Sequence, residues 1–348
     1  MTTSPKIHVA VIGAGSFGRN HARVYSELQK SGEPVELVAV VDQNRARAEQ
    51  IIAELGLTAR AYSSVKELLA SRKPTAASVA VPTVHHLEVA RALMQAGIDV
   101  LIEKPVAASL CEADELISVA KHTGQVAMVG HLERFNPAIR ATLPLVTRPM
   151  FFEVHRLSVF TPRALDVDVV LDLMIHDLDI VLWLARSPVR DLHAVGIPIL
   201  SDKVDIANVR VEFESGCVAN LTASRVSTER VRKLRFFQPR QYVSVDYGRR
   251  DVFTLTVQPA DPQANSAAPE VPGFDIALPG NSNIAIVPSK PAIQDEEPLR
   301  AELRAFLDAV RKHTEPAVTL HDGGAALELA LNILGQIGEH ARRAKISV

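Results

Sequence analysis

The chain has 348 residues, 47% of them hydrophobic and 22% charged, and 38 Lys+Arg against 40 Asp+Glu leave a formal charge of −2. That length predicts two domains, the composition excludes wholesale disorder, and the near-neutral charge excludes nucleic acid as the main partner. No apolar run approaches the ~18 residues of a membrane span, no secretory leader opens the chain, and Cys111 and Cys217 are too few for a disulfide framework, so a cytoplasmic protein without a membrane partner is expected.

In chain order, HVAVIG (8–13) predicts a first strand and residues 16–30 a helix. VELVAVVD (35–42) follows as a second strand, then a helix that Gly56 ends. SVAVP (78–82), a helix over 86–96, DVLIE (99–103), a helix over 110–122 and QVAMVG (125–130) continue the alternation. Val- and Ile-rich strands alternating with helices predict a doubly wound parallel sheet, a Rossmann-type domain over 1–130. From 131 the pattern changes. Segments 151–157, 191–197, 204–213, 217–225, 231–237, 241–247 and 251–257 predict a mostly antiparallel open sheet, interrupted by a helix from about Val169 to Ala185. This α+β domain, 131–298, is expected to hold the substrate and to mediate oligomerisation. Eight of the 21 prolines lie in 259–298, which predicts irregular loop. Residues 299–313 and 323–343 predict two amphipathic helices, with 299–348 expected to pack back on the first domain.

The chemistry starts at Gly13-Ala14-Gly15-Ser16-Phe17-Gly18, between a strand and a helix. Gly13 permits the turn, Gly15 lets a pyrophosphate approach, Gly18 allows close helix packing, and the N–H groups of the helix start, at Ser16 and Phe17, face the phosphates. Asp42 closes the second strand, where an acid binds ribose hydroxyls and repels a 2′-phosphate, so NAD is expected over NADP despite Arg45 and Arg47 nearby. Lys104, in Glu103-Lys104-Pro105, ends a strand at the ligand edge of such a sheet. It is a proton acceptor, a cation for an alkoxide-like oxygen, or a strand-end lysine reaching water. Asp172, His176 and Asp179, at i, i+4 and i+7, share one helix face, with His176 suited to take a proton and Asp172 to orient it. The competing readings are a satisfied core histidine and a zinc or manganese site, but the sequence positions no further ligands, so no metal is expected. In Gly130–Pro137, Arg134 and Asn136 suit an anionic, hydroxyl-rich substrate, and Asn136-Pro137 also reads as a helix start.

Together these motifs resemble the Gfo/Idh/MocA oxidoreductases. Gly13–Gly18 with Asn20-His21, Ala80-Val81-Pro82-Thr83 with His86, Glu103-Lys104-Pro105 and Asp172…His176…Asp179 match that family in order and spacing, and the likeness reaches the EPLRAELRAFLDAV segment. The resemblance implies that Lys104 and His176 handle a substrate hydroxyl proton with Asp172 assisting, and that the Lys104–Pro105 peptide is cis. It implies cofactor contacts at Gly13, Gly15, Ser16, Phe17, Gly18, Asp42, Pro82, Thr83, His86 and Glu103, and substrate contacts at Arg134, Asn136, Arg163 and Asp179. The chain departs from many members at Val169-Val170, at Met174 and in the order Pro82-Thr83, which reshapes a pocket without removing a catalytic group. Gly130–Pro137 and DLMIHDLDIVLWL are similar to the branch that oxidises the 3-hydroxyl of UDP-N-acetylglucosamine and passes the keto-sugar to an aminotransferase, on the way to amino-substituted lipid A precursors. The expected activity is an NAD-dependent sugar dehydrogenase. An inositol or other polyol dehydrogenase is the in-family alternative, and an NAD-sensing regulator is the non-enzymatic one, against which stands the retention of Lys104, Asp172 and His176. A homodimer or homotetramer is expected.

Overall fold

The computed structural model describes residues 5–161, 167–259 and 284–345. They form two compact units, residues 1–135 with 297–328 and residues 136–296 with 329–348.

The first unit begins with strands β1 (Ile7–Ile12), β2 (Val35–Val41), β3 (Arg60–Tyr62), β4 (Ala76–Val79), β5 (Asp99–Glu103) and β6 (Ala127–Gly130). Helices α1 (Ser16–Lys30), α2 (Arg45–Leu55), α3 (Val65–Ser71), α4 (His86–Gln95) and α5 (Leu110–Thr123) connect them. The strands are parallel in the order β3-β2-β1-β4-β5-β6, so the direction of winding reverses between β1 and β4. Ligands of such sheets bind beyond the carboxyl ends at that reversal. The glycine turn after β1 and the 80–86 segment after β4 both start there. Val9, Val11, Leu101 and Ile102 are fully buried, as strands covered on both faces require. The short β3 and α3 are not visible in the hydrophobic pattern. Three residues are too few to show a period, and α3 is set by Ser64, whose hydroxyl caps the Glu67 N–H at 3.1 Å.

The second unit holds α6 (Pro137–Thr142) and α7 (Ile175–Ala185). Its strands are β7 (Phe151–Val159), β8 (Val189–Ile197), β9 (Ile206–Phe213), β10 (Val218–Ser227), β11 (Val231–Gln238), β12 (Gln241–Asp246), β13 (Asp251–Pro259) and β14 (Ile284–Ser289). The eight strands run in the order β14-β13-β12-β11-β7-β10-β9-β8, antiparallel except for the β7–β10 pair. The expectation of irregular loop through 259–298 is corrected at β14, which pairs antiparallel with β13. An apolar Ile-Ala-Ile-Val run drives the pairing, and Pro288 is tolerated because β14 is an edge strand. The predicted helix from Val169 is also not uniform: residues 170–174 form a wider π-helical turn before α7.

Two helices close the chain, α8 (Pro298–Lys312) and α9 (Leu320–Ala344). α8 belongs to the first unit, whereas α9 gives its residues up to Glu328 to the first and from Leu329 to the second. Within the second unit, Gln336 accepts from the Ala194 N–H at 3.2 Å, and a Cβ at Gly196 would come within 2.9 Å of Ile337.

Candidate functional site

The glycine turn of the first unit divides its labour as backbone sterics dictate. Gly13 has φ +103°, and a Cβ there would lie 2.5 Å from the Ala80 carbonyl oxygen. A Cβ on Gly18 would meet the Gly13 carbonyl oxygen at 1.8 Å. At Gly15 nothing lies within 4 Å, and no side chain caps the start of α1. The two outer glycines are therefore needed by the protein itself, and the middle one keeps open the approach to uncapped helix N–H groups. Ser16 and Phe17 are exposed beside it. The cradle fits the pyrophosphate of a dinucleotide.

Asp42 faces the same turn. Its Oδ2 accepts the Ala14 N–H at 2.8 Å and its Oδ1 the Asn44 N–H at 2.8 Å. A carboxylate accepts about four hydrogen bonds, so Asp42 both fixes the turn and keeps capacity for ribose hydroxyls. Beyond β4, Pro82 is exposed and Thr83 half-buried. His86 is buried between two main-chain carbonyls, Nδ1 2.9 Å from Pro105 and Nε2 2.9 Å from Val81. Burial, the larger influence, holds its pKa below the ordinary histidine value despite those carbonyls. The ring thus braces the loop after β4 against the turn after β5.

Lys104 emerges half-buried from the end of β5, and its peptide bond to Pro105 is cis, as the resemblance implies. Glu103, one residue before, is buried, and its Oε1 lies 2.8 Å from Nε2 of His21 on α1. The carboxyl group packs over Gly130, its neighbour in β6, where a Cβ would stand 3.1 Å from Oε1. Arg134 is buried with its guanidinium 3.2 Å from Asp322, so the cation expected to meet an anionic substrate is matched inside the unit. Burial works to raise the Asp322 carboxyl, but the Arg134 charge and the Thr319 hydrogen bonds outweigh it and hold it below the usual range.

In the second unit, Asp172 lies in the π-helical turn and His176 in the first turn of α7, both half-buried, whereas Asp179 is fully buried. A π turn widens the backbone ring and is frequent at functional sites. It also separates Asp172 from the regular register that His176 and Asp179 share. Asn136 caps α6, its Oδ1 accepting the Ala138 N–H at 3.1 Å, and its Nδ2 donates to the Tyr247 carbonyl at 3.4 Å. Arg163 lies outside the described residues.

Arg156, Asp177, Glu302 and Asp322 were not singled out from the sequence. Asp177, also on α7, takes a two-pronged bond from Arg156 of β7, Nε at 2.6 Å and Nη2 at 2.9 Å, and that guanidinium stacks 5.4 Å from the Tyr247 ring centre. Its sequence signal is an acid on the apolar side of the helix. His21, Glu302 and Asp322 come from α1, α8 and α9, and only the tertiary fold gives them partners.

The models for the oxidoreductase family Gfo/Idh/MocA match at residues 7–131, its NAD-binding Rossmann fold, and at 147–243, its C-terminal domain. The chain belongs to the Gfo/Idh/MocA oxidoreductase family. It is an NAD-binding oxidoreductase. The UDP-N-acetylglucosamine 3-dehydrogenase of Acidithiobacillus ferrooxidans is 38% identical over 308 residues, 88% of this chain and 90% of that protein. A solved structure of that enzyme, GnnA, superimposes with TM-score 0.81 at 34% identity, covering 95% of this chain and 98% of the other. The scyllo-inositol 2-dehydrogenase (NAD(+)) of Bacillus subtilis is 28% identical, over 64% of this chain and 68% of its own. Levoglucosan dehydrogenase in complex with NADH shares the fold, with TM-score 0.80 at 17% identity over 96% of this chain and 97% of that one.

Proposed function

We propose that this Gfo/Idh/MocA protein is a UDP-N-acetylglucosamine 3-dehydrogenase, which oxidises the C3 secondary alcohol of the nucleotide sugar to the ketone. The observation that carries the reading is the 38% identity to such an enzyme across 88% of the chain, together with the retention of Lys104, Asp172 and His176. NAD fits the Gly13–Gly18 cradle with Asp42 on its ribose, and when bound it supplies the hydride acceptor. Lys104 and His176 receive the hydroxyl proton and hold the developing alkoxide, with Asp172 orienting the imidazole. Lys104 suits this because it leaves β5 at the ligand edge of the parallel sheet. Asp172 suits it because it lies in the π turn, and His176 because it stands in the first turn of the helix that follows. Asn136, Arg163 and Asp179 remain the substrate contacts of the proposal. Arg134, paired with Asp322, is a fourth substrate contact of the proposal.

The chain is further proposed to work in the cytoplasm as a homodimer or homotetramer paired through the outer face of the eight-stranded sheet. Val195 and Ile197 of β8 and Phe237 of β11 are exposed on that face. Among the described residues no helix is long and apolar enough to cross a membrane. The test of activity is NADH formation across a panel of nucleotide sugars, free sugars and inositols. UDP-N-acetylglucosamine should give the highest kcat/KM, and a preference for an inositol would replace the substrate named here. A purely monomeric species in sedimentation would exclude the assembly.

A further inference from the structure

His21, Glu103 and Glu302 converge inside the first unit from α1, β5 and α8, their nearest nitrogen and oxygen atoms all within 4.8 Å of one another. Glu302 is fully buried, and among the described residues no hydrogen-bond partner reaches either of its oxygens. By distance alone three such donors suit a metal ion, but the arrangement does not fit one. His21 Nε2 and Glu103 Oε1 already hydrogen-bond at 2.8 Å, and the second ring nitrogen of His21 has no partner to orient it as a ligand. The same geometry fits protons well. With the ring proton on Nε2, His21 donates to Glu103 Oε1, and Nδ1 carries no proton that needs an acceptor. A second carboxylate within a few ångströms of the first, dry and unpaired, cannot also be ionised without a large penalty.

We propose that Glu302 is a positioning residue held as a neutral carboxylic acid, which lets α8 close on the Glu103–His21 pair and so fixes the Glu103-Lys104-Pro105 turn. Burial, and after it the neighbouring Glu103 charge, push the Glu302 carboxyl well above the usual range. The other titratable and charged groups on α1 and on the 132–135 turn are Arg19, Arg23, Tyr25, Glu27, Lys30, Glu133 and Arg134. Arg23 is held by Glu27 and Glu297, Arg134 is paired with Asp322, and the Tyr25 hydroxyl, 2.9 Å from Ser78, is pushed up chiefly by burial and in part by Glu302 itself. Ionising Glu302 would place two like charges beneath the turn. Glu103 would then be driven from Gly130, and Lys104 with it.

The inference rests on the dehydrogenase reading only for the importance of Lys104, so its test uses no sugar. Full-length wild-type protein and E302Q are compared by infrared spectroscopy, by metal content, by thermal unfolding and by NADH fluorescence titration across pH. The expected result is a carboxylic-acid carbonyl band in the wild type at neutral pH that E302Q lacks. Above the unfolded carboxyl pKa, the folding constant of the wild type should fall about tenfold per pH unit relative to E302Q, because only the folded wild type retains that proton. NADH binding by the wild type should weaken on the alkaline side where Glu302 ionises, and E302Q should lack that limb. Should E302Q fail to fold, E103Q serves instead: removing the neighbouring charge should move the loss of the band to lower pH. A band that persists in E302Q, parallel stability curves, or one equivalent of tightly held zinc lost on substitution would each overturn the proposal. If the proposal holds and no nucleotide sugar is oxidised, it is the dehydrogenase reading that fails.

Discussion

Gly15 and Gly18 differ by three residues and should respond to alanine in opposite ways. At Gly18 the added methyl would sit 1.8 Å from the Gly13 carbonyl oxygen and 2.9 Å from its carbon, both backbone atoms that no rotamer change can move. Relief requires α1 to shift away from β1, and overpacking of that kind costs roughly 3 kcal/mol or more. For a unit of this size that lowers Tm by about 6–12 °C. At Gly15 the methyl meets nothing within 4 Å, and φ −76° with ψ −172° is extended backbone that alanine adopts freely. The weaker N-cap and the stiffer unfolded chain, each worth about 0.5–1 kcal/mol, oppose one another, so Tm should hardly change. The methyl instead occupies the approach to the helix N–H groups. Losing one charge-assisted bond there costs about 1.5–3 kcal/mol, a roughly 10- to 150-fold weaker NADH affinity. Calorimetric melting and NADH fluorescence titration separate the two. Wild-type melting of Gly18→Ala, or wild-type NADH affinity in Gly15→Ala, would refute the division of labour among the glycines.

Three further outcomes follow from the geometry. Arg156→Ala should leave Asp177 a buried charge without its two-pronged partner and destabilise the second unit by about 3–5 kcal/mol, whereas the double replacement R156M/D177L should recover most of that loss in chemical denaturation. Burial works to raise the Asp205 carboxyl, but the Ile199, Leu200 and Ser201 N–H groups and the Ser201 hydroxyl outweigh it and hold it at about 2, below its ordinary 3.8. Because the folded pKa is the lower one, its stabilisation is present above about pH 4 and lost as pH falls towards 2, and Asp205→Asn should flatten that acid limb of the stability curve. Lys104→Met should reduce turnover about 10²- to 10⁴-fold while fluorescence titration still detects NADH binding; turnover at the parental rate would remove Lys104 from the proton-handling role.

The fold class was legible because its signals are local. Apolar strands and glycine-ended helices recur within each βαβ stretch, and the alternation of the later strands is a period of two that needs no partner to be seen. The Gly13–Gly18 turn was legible for the same reason, since its three glycines lie together between one strand and the helix that follows. Where two influences compete, the reading of single residues fell short. Prolines predicted loop through 284–289, but an edge strand leaves Pro288 no ladder bond to lose. The helix face shared by Asp172, His176 and Asp179 assumed 3.6 residues per turn, which the π turn at 170–174 alters. The pairing of Arg134 with Asp322 was hidden because nothing in its neighbourhood along the chain shows that acid waiting on α9. The same separation hid the Arg156–Asp177 pair and the His21–Glu103–Glu302 cluster, whose members lie on elements far apart in sequence.

The central claim, hydride removal from C3 of a nucleotide sugar, is tested most directly with UDP-N-acetylglucosamine carrying deuterium at C3 alone. Mass spectrometry of the reduced cofactor should then find the deuterium in NADH, with the 3-keto sugar formed in equal amount. Deuterium retained in the sugar while NAD is reduced would place the oxidation at another carbon and contradict the account.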